Sequence, residues 1–156
     1  MLFKKKSNIK VHVGDLFIID DITLKGGKKW VLNDGKRVGK VIYLSNYFKD
    51  MMGFLYSIET FTNKEDIYNL KNLDEIEFAK TVFYTSKDII EKGSYELLNY
   101  KLPVTDSEVK LTKRIVANHV YQLDENLGFC NTEQADILPI QGYGGYAYHI
   151  DVLNNL

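Results

Sequence analysis

The 156-residue chain has few of the groups that build covalent or metal-held folds. It has one cysteine, Cys130, so no internal disulfide can form. A lone thiol fits a reducing compartment. The three histidines, His12, His119 and His149, are scattered, with no His-Glu-x-x-His and no paired Cys-x-x-Cys. Zinc needs its ligands gathered, so no metal or other cofactor is expected. No Gly-x-Ser-x-Gly is present, which excludes the nucleophile elbow of an α/β-hydrolase. Gly142-Tyr143-Gly144-Gly145 lacks the Gly-Lys-Ser/Thr of a phosphate-binding loop and the helix start of a dinucleotide loop. Cys130, next to Phe129, reads as a core residue rather than a nucleophile.

Other absences bear on architecture. There are two prolines and no linker, low-complexity tract or fixed-period repeat, so one domain over residues 1–156 is expected. No stretch approaches the ~18 apolar residues that would cross a membrane. Met1 to Lys6 has no apolar run behind its lysines, unlike a secretory signal. The expectation is a soluble cytoplasmic domain without membrane contact.

Strand signals are plentiful. Val13 to Asp20 carries Leu16-Phe17-Ile18-Ile19, a run apolar on both faces. Asn33-Asp34-Gly35 lies between two strand-like runs, and an Asp-Gly pair there predicts a hairpin turn. Gly53 to Phe61 and Glu77 to Thr85 alternate with period two. Thr62-Asn63-Lys64-Glu65 matches a capping box ahead of a short helix carrying Ile67, Leu70 and Leu73. Ser86-Lys87-Asp88 to Gly93 predicts a second short helix. Ser94 to Tyr100, Lys113 to Leu123 and Leu127 to Asn131 read as strands, the last two joined at Asp124-Glu125-Asn126. The segment from Ile137 onward reads as irregular chain plus a short element. Short strands with two small helices define a strand-rich α+β fold, a twisted antiparallel sheet or partly open barrel.

Charge is unevenly spread. Residues 1–40 sum to +6 and residues 41–156 to -7. Carboxylate pairs such as Asp20-Asp21 are adjacent, so they point apart and suit a solvated face better than acid–base catalysis. Between Glu59 and Glu77 lie six acids against Lys64 and Lys71. That segment suits a basic partner, with Glu65, Asp66, Asp74 and Glu75 as the contact candidates. Tyr143 and Tyr146 are aromatic interface candidates. Trp30 beside Lys28 and Lys29 would suit single-stranded nucleic acid on a small barrel. The pI of about 6.3 and the lack of an RNA-recognition motif argue against nucleic acid as the partner.

Two stretches carry a family resemblance. Val13-Gly14-Asp15-Leu16-Phe17-Ile18-Ile19, a polar hairpin and Gly39-Lys40-Val41 form the first. Val82-Phe83-Tyr84-Thr85, Ile89-Ile90, Lys92-Gly93-Ser94-Tyr95-Glu96-Leu97-Leu98 and Leu102-Pro103 form the second. In this order they resemble the immunity protein 26 family of bacterial polymorphic-toxin systems, over roughly residues 10–125. The family often has tryptophan at the place of Tyr95, and the resemblance does not extend past Asn126. It implies a cytoplasmic protein that binds a cognate toxin domain and blocks it, and the missing catalytic set points away from an enzyme. The alternative it implies is a metal-dependent hydrolase of phosphotriesterase type, which calls for clustered metal ligands.

Overall fold

The computed structural model describes residues 9–25, 29–93 and 95–141, with 22–25 and 29–32 described by backbone alone. Among the described residues, eight strands form two antiparallel sheets accompanied by four short helices. The larger sheet contains β1 (Asp15–Lys25), β2 (Lys29–Leu44), β3 (Met51–Tyr56), β4 (Phe83–Ser86) and β5 (Leu97–Lys101), in the order β4-β3-β2-β1-β5. The smaller contains β6 (Arg114–Val116), β7 (His119–Gln122) and β8 (Glu125–Phe129), in chain order. The expected strand-rich α+β class is the observed one, and the larger sheet stays open between β4 and β5 rather than closing as a barrel.

The apolar run at the start of β1 is covered on both faces. Phe17 and Ile19 pack with Val41, Met52, Phe54 and Phe83, under Ile89 and Ile90 of α2 (Asp88–Glu91). Leu16 and Ile18 point the other way, to Val38, Phe61 and Ile67 of α1 (Lys64–Tyr68). Alternation of side chains along a strand forces this division. Gly14 leads into β1 with φ +95°, and a Cβ there would lie 2.7 Å from the Leu102 carbonyl oxygen. A side chain would therefore be both strained and crowded, which gives the Gly-Asp pair a backbone reason.

The Asn33-Asp34-Gly35 hairpin expectation is overturned. β2 runs through these residues, and the chain reverses instead between Lys25 and Lys29, whose backbones pair. Register shifts between Asp20↔Lys36 and Ile22↔Leu32, so Asn33, Asp34 and Gly35 oppose Asp21 alone. This is a bulge. The earlier reversal wins because it adds four further residue pairs to the ladder. Asn33 and Arg37 then hold the Asp21 carboxylate, at 3.0 and 2.5 Å.

Other boundaries also move. The cap of α1 is Asn63, whose side chain accepts from the Asp66 N–H at 3.1 Å, rather than Thr62. Asparagine outranks threonine at this position. The Glu77 to Thr85 strand shrinks to β4, and Phe78 makes only an isolated bridge to Ser57. The Lys113 to Leu123 run is itself a hairpin, reversing at Ala117-Asn118, where φ is 48° and 67°. The second reversal is at Leu123-Asp124. Two further helices appear, α3 (Asp106–Lys110) and α4 (Thr132–Ile137). Their capping boxes, Thr105 with Glu108 and Asn131 with Gln134, are complete. Phe129 is 80% exposed on the outer strand β8, with the His119 ring 4.3 Å away, and Cys130 is only partly buried. The expectation of a core position at Cys130 is therefore not met.

The two sheets are tied by Arg114, which is fully buried. Its Nη1 donates to the carbonyls of Thr112 (2.9 Å) and Leu123 (3.0 Å), and its Nε to Gln141 Oε1. Nη2 reaches the Tyr43 hydroxyl on β2 at 3.5 Å.

Candidate functional site

The acidic segment lies against β5. Ile67 is buried and anchors α1, while Glu65 and Asp66 in its first turn stay exposed. Carboxylates are favoured there by the partial positive charge of a helix N-terminus. Leu70, Leu73 and Ile76 pack on the same cluster as Ile67 and leave Asp74 and Glu75 facing out, in a 3-10 turn at Leu73–Glu75. Two tyrosines join this segment to β5 and the residues before it. The Tyr68 hydroxyl donates to the Glu96 carboxylate, and the Tyr100 hydroxyl to Asp74. Lys64 also reaches Glu96, at 3.3 Å.

These bonds tune the groups. The hydrogen bond from Tyr68, with help from Lys64, holds the Glu96 carboxyl below its ordinary range. The same bond raises the Tyr68 hydroxyl, and the bond to Asp74 raises that of Tyr100. Hydrogen bonding to a charged form stabilises it. Glu65, Asp66, Asp74, Glu75 and Glu96 are all exposed, as are the two tyrosine rings that bond Glu96 and Asp74.

Asp74 also stands at the rim of a cavity of about 530 Å³. One wall comes from residues 74–80 and the other from the loop and helix over 102–111. Lys40 and Leu55, register partners on β2 and β3, form the floor. Lys40 is 4% exposed. Its ammonium donates to the Pro103 carbonyl at 2.8 Å and to Glu108 Oε1 at 2.7 Å, and lies 5.9 Å from the Phe78 ring centre. Glu108 Oε1 also accepts from the Thr105 N–H at 2.9 Å, so the capping box of α3 positions the counter-ion.

Of the residues expected from sequence, Glu65, Asp66, Asp74 and Glu75 are all exposed, with Asp74 bonded to Tyr100 and Glu75 to Asn72. Trp30 is in β2 opposite Leu24, in the stretch described by backbone alone. Tyr143, Tyr146 and His149 lie outside the described residues. His12 sits beside Asp15 at the head of β1, and His119 meets Asn126 and Phe129 in the small sheet. No group of three or more His, Cys, Asp or Glu among the described residues is placed to hold a metal ion. No helix among them is long and apolar enough to cross a membrane.

Sequence reading missed Lys40, Phe78, Tyr68, Tyr100 and Glu108 as site residues. A signal existed for Glu108, because Thr105-Asp106-Ser107-Glu108 has capping-box spacing. For Lys40 the signal was a lysine within the apolar run Val38 to Leu44. Comparison with family models, with curated proteins and with solved structures found no match.

Proposed function

We propose that the chain is an immunity protein that binds the effector domain of a cognate bacterial toxin and blocks it. The observation that supports this best is the joining of α1, the 3-10 turn and β5 into one acidic, tyrosine-bearing face. Tyrosine offers large contact area at low entropic cost, and ordered carboxylates steer a basic partner. The two hydroxyl–carboxylate bonds fix the face before any partner arrives, which lowers the cost of association. The resemblance carried by Gly14-Asp15 and Gly93-Ser94-Tyr95 names the class of partner. In this reading no metal or cofactor takes part, and the protein acts in the cytoplasm.

The test is association kinetics with the effector domain of a secreted toxin encoded by the neighbouring gene. Glu65→Lys, Asp66→Lys, Asp74→Lys and Glu75→Lys together should slow the on-rate by about tenfold or more at low salt. Raising the salt should shrink the difference. An unchanged on-rate would remove this face from the interface, and no binding by the unaltered protein would end the immunity reading.

A further inference from the structure

We propose that the cavity above Lys40 is a binding site for a neutral, planar nitrogen heterocycle of nucleobase type. The cavity shares only Asp74 with the toxin-binding face, and its chemistry is set by the hydrogen bonds of Lys40 and Glu108. An ammonium has three N–H donors. Two of those on Lys40 go to Pro103 and Glu108, and the third has no partner among the described residues. Glu108 uses Oε1 for Lys40 and for the Thr105 N–H, and its Oε2 has no partner among them. The Lys40–Glu108 pair therefore offers one donor beside one acceptor, both on groups that are themselves held.

Charge selects against ions. Lys40 and Glu108 neutralise each other at 2.7 Å. An anion approaching the free N–H meets the glutamate, and a cation approaching Oε2 meets the lysine. A neutral group presenting an acceptor next to a donor satisfies both at once. Nucleobase edges do this, as do primary amides. The walls separate those two. Leu55, Ile76, Phe78, Leu102 and Leu111 line the space, and the Phe78 ring offers a stacking surface that a simple amide would leave unused. The volume of about 530 Å³ lies within the range of small-molecule sites. Thr105, Ser107, Asp74 and Lys80 add polar groups around the lining, suited to a hydroxylated substituent such as a ribose.

The test uses the full chain and amide NMR. Adenosine, guanosine, cytidine and uridine are titrated separately to millimolar concentration, with ribose 5-phosphate and acetamide as comparators. At least one nucleoside is expected to give saturable shifts at Phe78 and across Leu102 to Leu111, with neither comparator doing so. Phe78→Leu should weaken that binding by about tenfold, in line with the loss of one stacking contact. Lys40→Met paired with Glu108→Gln should abolish it. If the double variant does not fold, the wild-type shift map and Phe78→Leu decide the matter. No saturable shift with any nucleoside overturns the proposal. Shifts that map elsewhere, or acetamide binding as tightly as the nucleosides, overturn it equally.

Discussion

The guanidinium carbon of Arg114 lies 4.9 Å from the centre of the Tyr84 ring. It lies 5.1 Å from the Tyr43 ring, so two aromatic faces from the larger sheet meet a cation from the smaller one. Tyr43 then donates its hydroxyl to Asp124, which also takes the Ser45 hydroxyl at 2.6 Å and the Asn46 N–H at 2.8 Å. Cation, ring and carboxylate form a continuous tie between the sheets. Removing Arg114 leaves the carbonyls of Thr112 and Leu123 and the Gln141 side chain without their donor. Arg114→Ala is expected to cost about 3–5 kcal/mol. Arg114→Lys should recover little, because a lysine cannot serve three acceptors in a fork. Urea unfolding measures both, and a loss below about 1 kcal/mol for Arg114→Ala would mean that the tie contributes little.

The two tyrosines should respond differently to loss of their hydroxyls. The Tyr84 hydroxyl is buried with no partner among the described residues, so Tyr84→Phe keeps the ring over Arg114 and removes an unsatisfied group. It should be neutral or stabilising. Tyr43→Phe breaks the bond to Asp124 and should cost about 1–3 kcal/mol. Thermal melts of the pair test the contrast, and equal losses would contradict it.

The same network predicts two pH limits. Burial by itself would raise the Asp124 carboxyl, but the bonds from Ser45, Tyr43 and Asn46 outweigh it and hold the group below its ordinary range. A lowered acid contributes stability that is present above its unfolded value of about 4 and is lost as pH falls through the folded value. Asp124→Asn should remove that acid-side dependence. At the other end, burial and then the bond to Asp124 push the Tyr43 hydroxyl up to about 12. Its contribution is complete below pH about 10 and declines as pH rises through the folded value. Stability measured against pH in Tyr43→Phe should lack this alkaline component.

Gly39 and Phe17 are register partners, and the ring covers the glycine so closely that a Cβ would sit 2.4 Å from Phe17 Cζ. Phe17 also meets Phe54 edge-on at 5.3 Å, so it has little room to move. Gly39→Ala should destabilise the fold by about 1–3 kcal/mol through overpacking. A neutral result would show that the ring can shift.

At the β6–β7 turn, Ala117 holds φ 48° without the tolerance of glycine or asparagine. Two consecutive positive-φ residues make this the turn type that favours asparagine first. Ala117→Asn or Ala117→Gly is expected to raise stability by about 0.5–1 kcal/mol. A lower melting temperature in both would show that the alanine side chain contributes packing that outweighs the strain.

Much of this molecule follows from the order of its residues alone. The run Leu16 to Ile19 requires a strand covered on both faces, because neighbouring side chains point oppositely, and α1 and α2 supply the covers. The polar positions around Ile67 require that Glu65 and Asp66 face solvent, as they do. What the sequence left open was decided by pairings across long separations. The Asp-Gly pair has local turn chemistry, yet four extra ladder pairs moved the reversal to between Lys25 and Lys29. Cys130 read as core, but its neighbour Phe129 fell exposed on an outer strand and Cys130 is only partly buried. Lys40 and Glu108 are 68 residues apart, and nothing local to either predicts a shared ion pair. The acidic residues were visible one by one. That Tyr68 meets Glu96 and Tyr100 meets Asp74 depends on where β5 docks, and only the assembled sheet sets that position.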